Sequence, residues 1–173
     1  MTPDLTILTH DEVSRLLHAY EHARVDQGGH LDGFVGVRVE GYDFSMRDMH
    51  GLHFDDSHFI RCNFSGAVLR DSTFSSTTAA GCDFSNADMV KIEIHSSNLA
   101  GCIFEHTRLI RAVIVGCDLT NASFFGADLT AVAVSDCRLR GARFDGAELN
   151  GALFEDNEDQ EREMSNPYRL PKD

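Results

Sequence analysis

A repeat of five residues constrains this chain more than any other feature of its sequence. From Phe34 to Phe154 every fifth residue is large and apolar, with Ala79 as the one exception. The residue two positions earlier is mostly small, and all five cysteines occupy that register. Neither the 3.6-residue period of a helix nor the two-residue period of a strand keeps this pattern on one face. A chain that turns a corner every five residues does, because each short segment then points one large and one small residue inward.

The large residues sort by type when every fourth one is taken, which indicates coils of four segments and 20 residues. One such ladder contains only phenylalanine, namely Phe44, Phe64, Phe84, Phe104, Phe124 and Phe144. The next contains methionine and leucine, namely Met49, Leu69, Met89, Leu109, Leu129 and Leu149. Stacked coils of this kind pair their backbones like parallel strands. The sequence therefore predicts an all-β solenoid of about six 20-residue coils.

Residues 1–29 precede the repeat and predict a capping helix. Thr9 and Glu12 have the spacing of a capping box, with Leu8 and Val13 placed as a hydrophobic staple. An apolar helix face is predicted from Val13, Leu16, Leu17 and Tyr20, and Gly28–Gly29 supplies the stop. Because an open coil end exposes core and unpaired backbone, we expect this helix to cover the N-terminal end of the solenoid.

The repeat domain is predicted to span residues 30–156, followed by an acidic C-terminal segment over residues 157–173. Met164, Tyr168 and Leu170 are the large apolar side chains of that segment. We expect them either to cover the last coil or to contact a second subunit.

The charge and the motifs exclude several classes of function. A net charge of −13 and a pI near 4.9 disfavour binding to nucleic acid or anionic membrane, which requires clustered Lys and Arg. No apolar run approaches the roughly 20 residues of a membrane span. An odd number of cysteines, five, in a chain too long to need disulfides favours a reducing compartment, so we expect a cytoplasmic protein. The cysteines fall at core positions, and no Cys or third His accompanies His18 and His22, which lie one helical turn apart, so we expect no enzyme activity, metal or cofactor.

Function is then expected on the outer surface, where two groups of side chains are candidates. The residue before each large centre points outward, and this register predicts an acidic stripe of Asp43, Asp48, Asp83, Asp88, Asp128 and Glu148, interrupted by Arg108 and Arg143. An apolar patch is predicted from Val90, Ile110, Val113 and Val115. Exposed apolar clusters often mark contacts with partners, although single ones carry no meaning.

Segments such as FSNAD (84–88), ASFFGADLT (122–130) and GARFDGAELNGALF (141–154) resemble the A(D/N)LXX consensus of the pentapeptide-repeat family. The resemblance covers about residues 32–156 and implies a right-handed quadrilateral β-helix. In length, acidity and its repeated CxF segments, as at Cys62 to Phe64, the chain is similar to the Qnr and Mfp branch. Members of that branch bind DNA gyrase or topoisomerase IV as DNA mimics and protect against quinolones.

Two hypotheses of function follow. The resemblance implies a noncatalytic DNA mimic that binds a type II topoisomerase through the acidic stripe, as a homodimer joined at the C-terminal end. The alternative is a scaffold or adaptor that binds an unrelated protein through the apolar patch. A shared scaffold does not decide between them, because one fold carries many functions.

Overall fold

The computed structural model describes residues 5–25 and 33–159, and it confirms a β-solenoid of about six turns. The first sheet has the order β1-β2-β3, with β1 at Thr6–Ile7, β2 at Val37–Glu40 and β3 at His58–Ile60. The second has the order β4-β5-β6-β7-β8, at Thr73–Ser75, Glu93–His95, Val113–Val115, Ala133–Ser135 and Leu153–Glu155. All neighbouring strands are parallel, and within the coils paired residues are 20 apart, as in Phe74 with Ile94.

Each coil has four faces, which we name by the residues at their buried centres. The Phe face contains the phenylalanine ladder, and the Met/Leu face contains the methionine and leucine ladder. The third face contains β4 to β8, and the fourth contains β2 and β3. Outside the strands, single parallel bridges join successive coils, such as Asp43 with Asn63 and Asp48 with Val68. Residues 20 apart therefore form columns that run the length of the solenoid.

The phenylalanine ladder shows how the interior is filled. Successive rings from Phe44 to Phe144 are 4.6 to 5.2 Å apart between centroids, with planes within 10° of parallel. This spacing is close to the distance of about 4.8 Å between paired strands. Every repeat centre is buried except Leu149, which is half-buried in the last coil. The packed interior confirms the prediction of four segments per coil.

The small inward residues also satisfy backbone groups. The hydroxyl of Ser57 donates to the carbonyl of Phe34 at 2.7 Å, and side chains at the same register repeat this bond to the carbonyl 23 residues earlier. The series continues to Asn157, whose amide donates to the carbonyl of Val134 at 2.9 Å. Glu158 still pairs with the preceding coil. The coils therefore extend two residues past the predicted limit at 156.

The N-terminal segment begins with a strand that the sequence did not predict. β1 pairs with β2 and so adds one strand to the fourth face before the helix begins. The helix α1 spans His10–Val25. Its capping box is confirmed, because the backbone N–H of Thr9 donates to Glu12 Oε2 at 2.8 Å and that of Glu12 donates to Thr9 Oγ1 at 3.3 Å.

The helix packs over the first coil through a narrow face. Val13 and Leu17 are buried in the core, and Tyr20 packs against it. The prediction for Leu16 was wrong, since its side chain is 41% exposed. Residues advance by about 100° around a helix, which places Leu16 at the edge of the stripe formed by the other three. The Gly28–Gly29 stop lies outside the described residues. Among the described residues, no helix is long and apolar enough to cross a membrane.

Candidate protein-binding surface

The acidic stripe occupies two adjacent columns, one on the Phe face and one on the Met/Leu face. Most of its aspartates are oriented by a bond within their own turn. In these turns Oδ1 accepts the backbone N–H two residues later, at 2.8 Å for Asp83 and 3.0 Å for both Asp43 and Asp128. Such turns are the common reason for an aspartate or asparagine at this register.

Asp43 illustrates the electrostatic consequence. The hydroxyl and the backbone N–H of Ser45 both lower the pKa of this carboxyl, with a smaller contribution from the Asn63 amide, which donates to it at 3.0 Å. Hydrogen bonds to the charged form stabilise that form. Asp43 is therefore ionised throughout the neutral range.

Asp88 differs from the rest of the stripe. Its Oδ2 accepts from Arg70 Nε and Nη2, both at 2.6 Å, and from Arg108 Nη1 at 2.9 Å. Its side chain is only 19% exposed, and its Oδ1 is buried without a hydrogen-bond partner. Two guanidinium groups thus surround one carboxylate at the middle of the stripe. This Arg70–Asp88–Arg108 cluster replaces negative potential there with a local excess of positive charge.

The cluster divides the stripe into separate groups of available carboxylates. Within the described residues, no Lys or Arg lies at ion-pair distance from Asp43, Asp83, Asp128 or Glu148. Asp43 and Asp83 are two coils apart on the Phe face, and Asp128 and Glu148 are bridged in successive coils on the Met/Leu face. Asp48 lies in the same column near the N-terminal end.

The C-terminal end of the described solenoid is the most acidic part of the coils. Residues 144–159 contain six acidic residues and no Lys or Arg. Arg143 pairs with Asp145 at 3.3 Å and Arg138 with Glu158 at 3.4 Å, so two of the six are compensated by the preceding segments. The predicted boundary at 156 placed Glu158 and Asp159 in the C-terminal segment, whereas the structure joins Glu158 to the preceding coil.

This end is also open within the described residues. The backbone N–H groups of Phe144, Gly146, Leu149 and Gly151 have no acceptor there, whereas the same positions of earlier coils donate to the next coil. Leu153 is 58% exposed in the last strand. Met164, Tyr168 and Leu170 lie outside the described residues.

The structure brings the predicted apolar patch together only in part. Val90 and Ile110 lie in successive coils on the Met/Leu face, while Val113 and Val115 flank buried Ile114 in β6 on the third face. All four are half-buried. Four of the ten cations of residues 33–159 lie around Val90 and Ile110, in the same column or a neighbouring one, namely Arg70, Lys91, Arg108 and Arg111.

The more exposed apolar side chains of the central coils lie elsewhere. Ile103 and Phe125, which were not among the predicted surface residues, are 38% and 42% exposed on the Phe face. The signal for them was present in the sequence. Each replaces a polar residue that is usual in its column, and such a replacement becomes visible when the repeat is aligned coil by coil.

Thiol and metal chemistry have little support in the described residues. All five cysteines are buried, and burial raises the pKa of the Cys102 thiol to about 12. A protonated, inaccessible thiol is a poor nucleophile. No group of three or more His, Cys, Asp or Glu side chains in the described part of the chain is arranged to hold a metal ion.

The family model for pentapeptide repeats matches residues 49–90, 94–124 and 122–156, in eight copies. These segments cover more than half of the chain. This chain is a member of the pentapeptide-repeat family. No curated protein matches the sequence.

Solved structures of pentapeptide-repeat proteins are similar to this one at low identity. QnrB1, a plasmid-mediated fluoroquinolone resistance protein, is 23% identical over 71% of this chain and 70% of its own, with a TM-score of 0.47. HetL, involved in heterocyst differentiation regulation in Nostoc, is 18% identical over 86% and 93%, with a TM-score of 0.44. A protein of the Arabidopsis thaliana thylakoid lumen is 25% identical over 68% and 79%, with a TM-score of 0.46. These similarities do not assign a function.

Proposed function

We propose that this protein is noncatalytic and binds a type II topoisomerase, DNA gyrase or topoisomerase IV, in place of DNA. The observation that supports this most is a set of carboxylates, at Asp83, Asp128 and Glu148, that have no Lys or Arg at ion-pair distance among the described residues. They lie on adjacent faces of a rigid, densely packed rod, so they need little reorganisation to meet a basic surface. The binding would compete with DNA and would modulate or protect the enzyme, which gives resistance of the quinolone type.

The charge of the solenoid is compatible with a DNA-binding surface as partner. Residues 33–159 contain 19 acidic and 10 basic residues, a net charge of −9. Asp128 and Glu148 are one coil apart, about 4.8 Å, compared with about 3.4 Å between phosphates along one DNA strand. Only the groups of unpaired carboxylates approach the charge density of DNA. We therefore assign the contact to these groups and not to the whole rod.

A binding role also suits the packed interior, which leaves the outer surface as the place for function. The described residues include one polar depression of about 360 Å³ at the corner between the third and fourth faces. Arg138 lies there between Asp118 at 3.8 Å and Glu158 at 3.4 Å. These ion pairs occupy three of its four charged groups. A cytoplasmic location follows from the proposed partner.

The experiment that tests the proposal is gyrase supercoiling with and without a quinolone, at increasing protein. We expect supercoiling, or its inhibition by the drug, to change when the protein is in excess over gyrase, and we expect direct binding to weaken as salt rises. Unchanged supercoiling at high excess, together with no binding at low salt, would refute the proposal.

The matched variant combines Asp83→Asn, Asp128→Asn and Glu148→Gln. The asparagine changes preserve the turn bond, because asparagine already makes it in this chain at Asn63, whose Oδ1 accepts the N–H of Ser65 at 2.9 Å. Exposed charge pairs are worth about 0.2–1 kcal/mol each. Removing three of them should weaken binding roughly 3- to 100-fold.

The control variant changes the net charge by the same amount on the opposite side of the rod. Asp56, Asp136 and Asp156 lie in one column at the corner between the third and fourth faces, each with a φ of 50° to 54° that asparagine adopts readily. Replacing all three by asparagine should leave gyrase binding within about threefold. Equal losses in both triple variants would show that only total charge matters.

A homodimer formed through the C-terminal end is part of this proposal. The N–H groups of the last coil that find no acceptor among the described residues, and the exposed Leu153, support it, because an open sheet edge favours further pairing. We expect light scattering to give twice the chain mass of 19.2 kDa. A chain ending after residue 159 should be monomeric if residues 160–173 hold the dimer. A monomeric full chain at high concentration would refute the dimer.

A second candidate is an adaptor that binds a protein through Val90, Ile110, Val113 and Val115. The observation that favours it is the group of four cations around Val90 and Ile110, which would suit an apolar segment with acidic flanks. In a pull-down, the parent protein should recover such a partner and the Ile110→Glu variant should not. Gyrase supercoiling should be the same with either protein. Recovery that survives this change would contradict the adaptor.

A further inference from the structure

Ile103 and Phe125 form the second apolar surface of the solenoid, which we call the Ile103–Phe125 patch. Ile103 is bridged to Ser123 in the next coil, and Phe125 lies two residues after that serine on the same face. The two side chains are thus diagonal neighbours in successive coils. The ring of His106 packs edge-on against Phe125, with centroids 5.6 Å apart and planes at 85°. The imidazole supports one side of the Phe125 ring and leaves 42% of the residue exposed.

The fold does not require an apolar residue at either position. The column of Ile103 contains Asp43, Asn63 and Asp83 in the preceding coils, and each of these closes a turn that isoleucine cannot close. The column of Phe125 contains serine in the first three coils, namely Ser45, Ser65 and Ser85. Both replacements leave apolar surface in water without a gain in core packing. Covering that surface with a partner would remove it from water and so stabilise the complex.

Acidic side chains surround the patch. Asp83 precedes Ile103 in its column, while Glu105 precedes Phe125 and Asp145 follows it. Glu105 accepts a hydrogen bond from the hydroxyl of Ser123 at 3.0 Å, which fixes one oxygen beside the patch. The one cation in these two columns is Arg143, paired with Asp145 at 3.3 Å. The rim therefore favours positive side chains.

The corners of the coils beside the patch carry several glycines, so little side-chain volume projects there. Gly81 and Gly101 lie at the corner before the Phe face, with open space where a side chain would be. At the other corner, Gly146 has only backbone near it, and His106 lies over Gly126. An extended chain could cross the Phe face at this level without meeting long side chains at its entry corner. A flat, accessible face with two apolar side chains suits an extended segment better than a bulky domain.

We propose that the Ile103–Phe125 patch docks an extended segment of a protein partner in which apolar side chains lie between Lys or Arg residues. The apolar side chains cover Ile103 and Phe125, and the cations pair with Asp83 and Glu105. This chemistry follows from the surface itself, so it does not depend on whether the partner is a topoisomerase.

The test uses three labelled synthetic peptides and fluorescence anisotropy with the full chain. One alternates Lys and Leu, one alternates Lys and Ser, and one alternates Glu and Leu. The Lys/Leu peptide should bind at least tenfold more tightly than either of the others. The advantage over the Lys/Ser peptide reports the apolar contact, and the advantage over the Glu/Leu peptide reports the acidic rim.

The decisive variant combines Ile103→Asn and Phe125→Ser, residues that other coils already carry in these columns. We expect the affinity for the Lys/Leu peptide to fall at least tenfold, with an unchanged circular dichroism spectrum. The matched control is Val35→Ser, which removes an apolar side chain of similar exposure, 44%, from a column that contains Ser75, and it should change the affinity less than twofold. Equal binding of the Lys/Leu peptide to parent and double variant, or equal binding of all three peptides, would overturn the proposal.

Discussion

Asp88 and Asp128 occupy the same column of the Met/Leu face, yet the structure predicts opposite consequences for the same substitution. Asp88→Asn removes the charge that holds Arg70 and Arg108 at 2.6 and 2.9 Å. Both arginines are more than 40% exposed and regain water, so each lost contact should cost no more than about 1 kcal/mol. We therefore expect a loss of about 1–2 kcal/mol in the free energy of unfolding.

A loss of that size lowers the melting temperature by about 2–8 °C in a chain of this length. Asp128→Asn keeps the bond from the Thr130 N–H and breaks no ion pair, so its stability should change by less than about 0.5 kcal/mol. In the gyrase assay we expect Asp128→Asn to lose more binding than Asp88→Asn, because of the two only Asp128 presents a charge that no described Lys or Arg compensates. Thermal denaturation and supercoiling measured on both variants test the two halves together. A stable Asp88→Asn variant that loses gyrase binding as strongly as Asp128→Asn would refute the charge compensation assigned to the arginine cluster.

Three further predictions concern the scaffold. Phe104→Ala should cost about 3–5 kcal/mol in urea denaturation, because the ring is buried between stacked rings; a loss below 1 kcal/mol would contradict the ladder. Gly33→Ala should destabilise strongly or prevent folding, since a Cβ there would lie 2.1 Å from the His53 carbonyl oxygen; a normal melting temperature would be inconsistent with this contact. The backbone N–H and hydroxyl of Thr9 lower the pKa of Glu12, so its capping contribution is present above the ordinary glutamate range and is lost as pH falls through the lowered pKa. By circular dichroism, the helix content of the Glu12→Gln variant should therefore be lower than that of the parent at pH 7. The two values should become equal in acid.

The repeat predicted the coils well because a buried centre must recur at each turn. Phe34 to Phe154 kept one register without a shift, and the stacked rings followed from it. The strand at Thr6–Ile7 was missed because two residues carry too little periodicity to be distinguished from a loop. The exposure of Leu16 was missed for a related reason. How much of the helix surface the first coil covers depends on tertiary packing. The spacing of apolar residues within the helix does not specify it.

The candidate surface was predicted less completely, because a column fixes where a side chain emerges but not what it pairs with. The sequence showed Arg108 between Asp88 and Asp128, but Arg70 joins Asp88 from another column one coil earlier. That contact depends on the stacking of faces and corners in three dimensions. It changes Asp88 from a candidate binding residue into a structural one, while Asp128 keeps its place in the proposal.

The solenoid also offers an internal standard for judging its surface residues. Each outward position occurs about six times, and the turn geometry gives it a polar default, as Ser45, Ser65 and Ser85 illustrate for the column of Phe125. A default residue such as Asp83 is explained by its turn bond, so its position alone is weak support for a function. Phe125 has no such explanation, because the coils beside it hold the same backbone without an aromatic side chain. For this reason departures from the column defaults, more than the total charge of −13, point to where a partner binds.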